Sequence, residues 1–142
     1  MRRATDLMHL LTRAERLMAR RIAGVLESSG LSLDAWRVVT LLADGKGHTM
    51  SSLSEGASLP PASLTRLVDH LVDENLVYRR IDEIDRRRIR AHLTMRGRRL
   101  HEKVASEISA DLPEISDDVE LAERLGSLIR GLSAAPVTGI TL

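Results

Sequence analysis

The stretch DRRRIRAHLTMRG, Asp85 to Gly97, packs four arginines and one acid into its first six residues and ends in glycine. Within it, apolar Ile89, Ala91 and Leu93 alternate with polar residues, a period of two that predicts a β-strand. The segment VYRRI, residues 77–81, predicts a partner strand, and the polar residues between the two predict a loop. The stretch therefore predicts a β-hairpin with an arginine-rich tip.

Two helices joined by a turn are predicted immediately before the hairpin. Thr49 or Ser51 is expected to open a short helix over SSLSEGASL, residues 51–59. A longer helix is expected over residues 62–74, with Pro61 at its first position, where proline lacks only an amide proton that would be unpaired anyway. Helical periodicity divides its residues into an inward set, Leu64, Leu67, Val68, Leu71 and Val72, and an outward set, Ala62, Ser63, Arg66, Asp69, His70 and Asp73.

Helical periodicity also covers most of the remaining chain. A first helix is expected to run to about Ser29, where Gly30 stops it, and Ser32 or Asp34 can cap the second. Asn75 is expected in the left-handed conformation that ends many helices. Past the hairpin, the pattern predicts a helix that Pro113 ends, and a last helix over roughly residues 117–132.

Composition excludes several classes of protein. The chain has 142 residues, 43% of them hydrophobic, which suits one compact domain, and it has no cysteine for disulfides, thiolate metal sites or nucleophiles. The five histidines show no metal-ligand spacing, and no phosphate-loop or hydrolase motif is present, so we expect no enzyme, metal or cofactor. No segment has the length of a signal peptide core or a membrane span, so a cytoplasmic location is expected.

The net charge of +1 conceals an uneven distribution. Residues 79–103 hold ten Arg or Lys against four Asp or Glu, a net of +6. Residues 104–142 hold two Arg against seven Asp or Glu, a net of −5. A local cationic excess of this kind is typical of a surface that binds a polyanion.

A helix-turn-helix followed by a cationic hairpin predicts a winged helix-turn-helix that binds double-stranded DNA. An α-helix about 10–12 Å across fits the major groove, about 12 Å wide, while a thin wing can follow the backbone and reach the minor groove. The expected DNA contacts on the helices are Ser51, Ser52, Pro61, Ala62, Ser63, Thr65, Arg66 and His70. Those on the wing are Asp85, which would orient Arg87, and Arg86, Arg87, Arg88 and Arg90. The alternatives are a solvated charged loop for the wing and plain helix capping for the two serines.

These residues resemble the MarR (multiple antibiotic resistance regulator) family of bacterial transcription regulators. Asp85 and Arg87, followed by Leu93-Thr94 and Gly97, match the wing signature D-x-R…L-T-x-x-G. The segment LSLDAWRVVTLLAD, residues 31–44, resembles the second helix of the family, and LTRLVDHLVDENLVYR, residues 64–79, its recognition helix and first wing strand. This chain departs from the family by carrying Asn75 in place of the usual glycine, and by Pro60-Pro61 at the start of the recognition helix.

The resemblance implies a homodimer on a pseudo-palindromic operator, with the first helix and the last two helices of each subunit interleaved. The apolar stripes of these helices agree, because they exceed what a small winged core can cover. We therefore expect a mainly α (α+β) fold comprising dimerisation helices at about 4–29 and 96–133, a winged helix-turn-helix at about 32–95 and an irregular tail at 134–142.

The resemblance also implies a cleft, between the dimerisation helices and the winged unit, that binds a small aromatic or phenolic effector and releases a repressor from DNA. Trp36 would line it, with His9, Arg13 and Arg16 as partners for an anion. The alternatives are a core role for Trp36 and a solvated or interface helix face for the other three. Two rival functions are a winged-helix module that binds protein and a DNA-binding regulator without an effector.

Overall fold

The computed structural model describes residues 3–134 and shows a mainly helical fold with one small sheet. The helices are α1 (Arg3–Leu26), α2 (Leu33–Leu42), α3 (Met50–Ala57), α4 (Pro61–Asp73), α5 (Met95–Asp111), α6 (Pro113–Ser116) and α7 (Val119–Ala134). The strands are β1 (His48–Thr49), β2 (Val77–Ile81) and β3 (Ile89–Leu93). The chain up to Asp111 forms one compact unit, and the chain from Leu112 onward forms a second. Within the described range, no helix is long and apolar enough to cross a membrane.

Local signals set the helix ends much as predicted. A single 3₁₀ turn follows α1, and Gly30 then takes a positive φ of 74° and ends the helix. Ser32, rather than Asp34, caps α2 by accepting a hydrogen bond from the Ala35 amide at 3.1 Å. Asn75 has a φ of 59°, which confirms the predicted left-handed residue after α4.

The next two helices begin as the sequence indicated. Thr49, rather than Ser51, caps α3 by accepting a hydrogen bond from the Ser52 amide at 3.2 Å. Pro61 is the first residue of α4, as predicted, and Pro60 precedes it in an extended conformation.

Three features were not predicted. The two-residue strand β1 pairs antiparallel with β3, with His48 opposite Ala91. The sheet therefore has three strands in the order β1-β3-β2, one more than the predicted hairpin supplies. Pro113 opens the one-turn helix α6, because proline is as suitable at a first helical position as it is disruptive inside a helix. Helix α7 includes Ala134, which was expected in the irregular tail, and residues 135–142 lie outside the described residues.

The core lies in the first unit and holds α4 against its neighbouring helices and the sheet. Val38 of α2, Leu53 of α3, Leu64 and Leu71 of α4 and Ala91 of β3 are all fully buried. Each large aliphatic side chain of this kind contributes about 1.5–3 kcal/mol through burial. Helix α4 is therefore fixed along its whole length against α2, α3 and the sheet, while its other side remains exposed.

A close junction joins the end of α4, the wing and the start of α5. The Thr94 amide donates to the Leu76 carbonyl at 3.0 Å, and the Thr94 hydroxyl donates to the Asn75 carbonyl at 2.7 Å. The same hydroxyl oxygen accepts from the Gly97 amide at 3.0 Å and so caps α5. A Cβ at Gly97 would lie only 2.1 Å from the Leu76 carbonyl oxygen. Glycine is therefore required at position 97 by a backbone contact, which explains the L-T-x-x-G pattern.

We predict that Gly97→Ala lowers the free energy of unfolding by about 2 kcal/mol or more, because the new methyl group must displace backbone rather than a flexible side chain. Urea denaturation at one fixed protein concentration measures the change. Gly24→Ala on α1 is the control, since no atom lies within 4 Å of its added Cβ. It should stabilise the chain, by up to about 1 kcal/mol. Equal stability of the Gly97→Ala variant and the wild type would contradict the account of this junction.

Candidate nucleic-acid interface

The outward side of α4 presents a continuous polar surface. While Leu64, Val68 and Leu71 are buried, the predicted contact residues of this helix are all exposed, namely Pro61, Ala62, Ser63, Thr65, Arg66 and His70. Small side chains occupy its first turn, and the cation and the imidazole follow. A helix with this distribution can approach base edges closely at its N-terminal end, with Arg66 positioned for a base or a phosphate.

An internal hydrogen bond limits how the Thr65 side chain can contact DNA. Its hydroxyl donates to the Pro61 carbonyl at 2.9 Å, one turn earlier in the same helix. The donor is therefore used within the protein, and the oxygen lone pair and the methyl group remain for a ligand. These groups suit an amino group of a base or the methyl group of thymine.

The start of α3 lies beside the start of α4. Ser51 lines a hollow together with Pro61 and Thr65, so three of the predicted contact residues come together there. Ser52 is exposed, and its hydroxyl oxygen lies 3.4 Å from Nδ1 of His48. Both serines belong to the first turn of α3, where backbone amides and serine hydroxyls favour a phosphate.

His48 and Asp44 form a chain of side-chain contacts that ends at Ser52, and neither residue was predicted to belong to the site. Nε2 of His48 lies 2.8 Å from Oδ2 of Asp44, so the carboxylate holds the imidazole from one side while Ser52 meets it on the other. A hydrogen bond from the Lys46 amide is the main cause that lowers the pKa of Asp44, and the bond with His48 lowers it further. The turn that brings these residues together has no periodicity, and so no sequence pattern pointed to the set.

The acids of the wing determine the shape of its tip. Oδ1 of Asp82 accepts a hydrogen bond from the Ile84 amide at 2.9 Å, and Oδ1 of Asp85 accepts one from the Arg87 amide at 3.1 Å. These are two successive turns closed by aspartate side chains, and a bond from the Arg88 amide to the Asp85 carbonyl at 2.9 Å completes the second. The Ile84 amide is the main cause that lowers the pKa of Asp82, and Arg90 lowers it further.

The tip arginines project from this loop with one acid among them. Nε of Arg87 lies 3.3 Å from Asp85, as the sequence predicted, and Nε of Arg88 lies 3.5 Å from the other oxygen of the same carboxylate. The Arg87 side chain is nevertheless 92% exposed. Arg86 is exposed and has no ion-pair partner among residues 3–134. Three cations against one carboxylate leave a concentrated positive charge at the tip.

Arg90 has a different environment from the other wing arginines. It donates from Nε to Asp82 at 2.9 Å and from a terminal nitrogen to the Gly47 carbonyl at 3.2 Å. Its half-buried guanidinium thus ties the base of the wing to the turn before β1. Arg80, directly opposite on β2, pairs with Glu83 at 2.8 Å, which offsets the repulsion between the two facing cations. A DNA contact by Arg90 remains a prediction.

Two outward acids on α4, Asp69 and Asp73, would repel a phosphate backbone if they reached it. Asp69 forms an ion pair with Arg79 of β2, which offsets its charge. Asp73 is exposed near the C-terminal end of the helix. The recognition surface therefore carries less uncompensated negative charge than the sequence of α4 suggests.

Trp36 lies in the core, whereas the other residues predicted to bind a ligand are exposed. It is only 8% exposed, and its ring stacks on His101 of α5, with ring centroids 5.3 Å apart. His9, Arg13 and Arg16 are exposed on α1, and no hydrogen bond, ion pair or ring contact within the described range joins them to Trp36. The core position expected as the alternative for Trp36 is therefore observed, and a role in ligand binding stays a prediction.

Comparison with known proteins places these features in a family. A model of the MarR family matches residues 31–89. The HTH-type transcriptional repressor YetL of Bacillus subtilis (strain 168) is 32% identical over 112 residues, which cover 73% of this chain and 67% of YetL. Among solved structures, NadR in complex with 4-hydroxyphenylacetate has a TM-score of 0.78 at 25% identity, and the match covers 87% of this chain and 89% of the NadR chain. CouR from Rhodococcus jostii RHA1, bound to p-coumaroyl-CoA, has a TM-score of 0.78 at 22% identity, with coverages of 92% and 94%.

The sheet contains a histidine whose titration can be predicted. His92 stacks on Tyr78, directly opposite it on β2, and its ring lies so close to Gly47 that a Cβ there would be 2.3 Å away. Burial is the main cause that lowers the pKa of His92 below its ordinary 6.5, and Arg80 and Arg90 lower it further.

We predict an NMR titration midpoint for the His92 ring protons below 6.5, and a higher midpoint in Arg80→Gln, which removes one neighbouring cation. Because the unfolded chain takes up this proton at higher pH than the folded chain, the contribution of His92 to stability is complete above pH 6.5 and is lost as pH falls through the folded pKa. A midpoint at or above 6.5 in the wild type would show that the ring is not desolvated as described.

Proposed function

The chain belongs to the MarR family of transcription regulators, and from this premise we propose that it is a homodimeric repressor that leaves its operator when a small aromatic ligand binds. The observation that carries the DNA-binding part is the pairing, in one winged unit, of an exposed polar face on α4 with an arginine-rich tip. Helix α4 would occupy the major groove, and the wing would follow the backbone towards the minor groove.

Dimerisation is supported by apolar surface that a single chain leaves in water. On α1, Met8 is 70% exposed and Leu10 is 62% exposed, and on α7, Val119 and Leu132 are 67% and 71% exposed. Monomeric proteins rarely expose several large apolar side chains along one helix, so a second copy that covers them would stabilise both. A two-fold axis would then set the two α4 helices about 34 Å apart, one turn of DNA.

Repression rather than activation is supported by the name of YetL, a transcriptional repressor. A bound dimer would occupy the operator and exclude other proteins. Release would require the ligand to prefer the conformation that does not bind DNA, with a coupling of typically about 1–3 kcal/mol.

An aromatic effector is supported by CouR and NadR, whose structures hold p-coumaroyl-CoA and 4-hydroxyphenylacetate. In this chain the stacked pair of Trp36 and His101 joins α2 of the winged unit to α5. We propose that an aromatic acid binds beside Trp36, with Arg13 as the first cation for its carboxylate and with His9 and Arg16 nearby. Rearrangement of this pair would alter the orientation of the winged unit on α5.

We predict that Arg87→Ala weakens binding to operator DNA at least about tenfold and lowers the salt slope by about one per chain, since one phosphate contact is lost from each wing. Fluorescence anisotropy across a salt series measures both quantities. Arg20→Ala on α1 removes the same charge outside the helix-turn-helix and wing, and it should retain the wild-type affinity and slope. Equal binding by Arg87→Ala and the wild type at low salt would argue decisively against the wing contact.

We predict that at least one member of a panel of aromatic acids, including 4-hydroxyphenylacetate, raises the melting temperature and lowers DNA affinity. A ligand at about 100 times its Kd adds about 2.7 kcal/mol to native stability. Trp36 is the only tryptophan in the chain, so its fluorescence reports binding at this position without labelling. The same ligand should bind Arg13→Gln more weakly. A panel that changes neither melting temperature nor DNA affinity would favour a regulator without an effector.

A further inference from the structure

A second cavity lies in the first unit, at the junction of the α1–α2 loop, the C-terminal half of α4 and the first turns of α5. Its volume is about 480 Å³. The loop contributes Leu31, α4 contributes His70, the residue that caps the end of α4 is Glu74, and α5 contributes Arg96, Arg99 and Lys103. Trp36 does not line this cavity, which is therefore distinct from the cleft proposed above.

The three cations of this cavity lie together and are not paired with acids of the described chain. Arg96, Arg99 and Lys103 follow one another at intervals of three and four, so they share one face of α5. All three are exposed, and none forms an ion pair with any residue of the described chain. Elsewhere most arginines of the winged unit have a carboxylate within 4 Å, including Arg79, Arg80, Arg88 and Arg90.

The position of these cations in α5 adds to the local potential. Arg96 and Arg99 lie in the first turns of the helix, which begins at Met95, where the helix dipole is positive and acids are the favoured residues. Cations at this end are destabilising for an isolated helix, so a bound anion would relieve both the dipole and the mutual repulsion. Only one carboxylate, that of Glu74, lines the cavity against them.

The floor of the cavity is apolar. Leu31 and Leu100 are half-buried and pack on the core, and Leu71 and Leu76 complete the lining behind them. The volume falls within the range of about 300–1,000 Å³ that small-molecule sites occupy. A sugar-phosphate backbone has little apolar surface for these leucines and would be repelled by Glu74, whereas an organic anion has both a charge and an apolar body.

We propose that this cavity is a binding site for a small organic carboxylate. Arg99, with Arg96 and Lys103, would hold the carboxylate, the leucines would contact the apolar body, and Glu74 would accept a hydrogen bond from a ligand that carries a hydroxyl or amide donor. Since α4 and α5 both line the site, such a ligand would connect the recognition helix to a dimerisation helix. That regulatory consequence rests on the proposed function, but the binding itself does not.

The test is a titration of the full-length protein with phenylacetate, followed by proton–nitrogen NMR at low ionic strength. Phenylacetamide, which has the same shape without the charge, is the ligand control. We expect phenylacetate, and not phenylacetamide, to shift the backbone amides of Arg99 and Leu100. Arg99→Gln should weaken this binding at least about tenfold, as the loss of a charge-assisted hydrogen bond requires.

Two variants separate this site from its neighbours. Arg98→Gln removes the same charge from the adjacent position, which does not line the cavity, and it should bind phenylacetate as the wild type does. Arg13→Gln, which alters the proposed effector cleft, should also leave the shifts at Arg99 intact. DNA affinity of each variant is measured without phenylacetate, so that a failure of the proposed function is seen separately from a failure of this site.

Four results would overturn the proposal. Shifts confined to the Trp36 indole and abolished by Arg13→Gln would place phenylacetate in the effector cleft, leaving the proposed function intact. Equal binding of phenylacetamide, or no effect of Arg99→Gln, would show that the cations do not hold the carboxylate. No phenylacetate binding together with weaker DNA binding by Arg99→Gln would assign the cluster to the DNA interface. Conversely, binding at Arg99 by a protein that ignores DNA would support this site and refute the proposed function.

Discussion

The contact between the first turn of α5 and the carbonyl of Leu76 is the constraint on which the rest of the structure depends. Gly97 allows the approach, and Thr94 closes it with hydrogen bonds to both sides. At this point the end of the recognition helix, both strands of the wing and the beginning of α5 meet within a few residues. Since α5 continues into the region expected to dimerise, the junction fixes how a recognition helix and a wing are oriented on the body of the regulator.

The acids and the arginines of the wing have different parts in one short loop. Its aspartates accept backbone hydrogen bonds that form the turns, and the arginines that follow are held close to them without being buried. Arg90 secures the base of the wing, while Arg86, Arg87 and Arg88 carry the charge at the tip. Acids in this loop are therefore compatible with the proposed DNA contact, because Asp85 shapes the turn while three arginines against one carboxylate leave the tip positively charged.

The sequence predicted those parts of the fold that local signals determine. Gly30, Pro61 and Asn75 act within one turn of chain, and α4 has so strong a periodicity that its exposed face was assigned correctly residue by residue. Several of the features that were missed depend on partners distant in sequence. Strand β1 has only two residues and exists because β3 lies beside it, and the hydrogen bond from Arg90 to Gly47 spans 43 positions. The cationic cavity likewise becomes visible only when the α1–α2 loop, α4 and α5 are brought together. The support of Ser52 by His48 is local, and it was missed because the turn that holds His48 has no periodicity.

The central claim is that a dimer of this chain binds one DNA duplex through its two α4 helices and its two wings. Sedimentation velocity with a fluorescent duplex, taken from immediately upstream of the gene that encodes the chain, tests it most directly. The account predicts a complex of two chains on one duplex that dissociates as salt rises from about 50 to 200 mM, because several phosphate contacts are lost together. A protein that remains a single chain at micromolar concentration and leaves the duplex unbound in the lowest salt would contradict it.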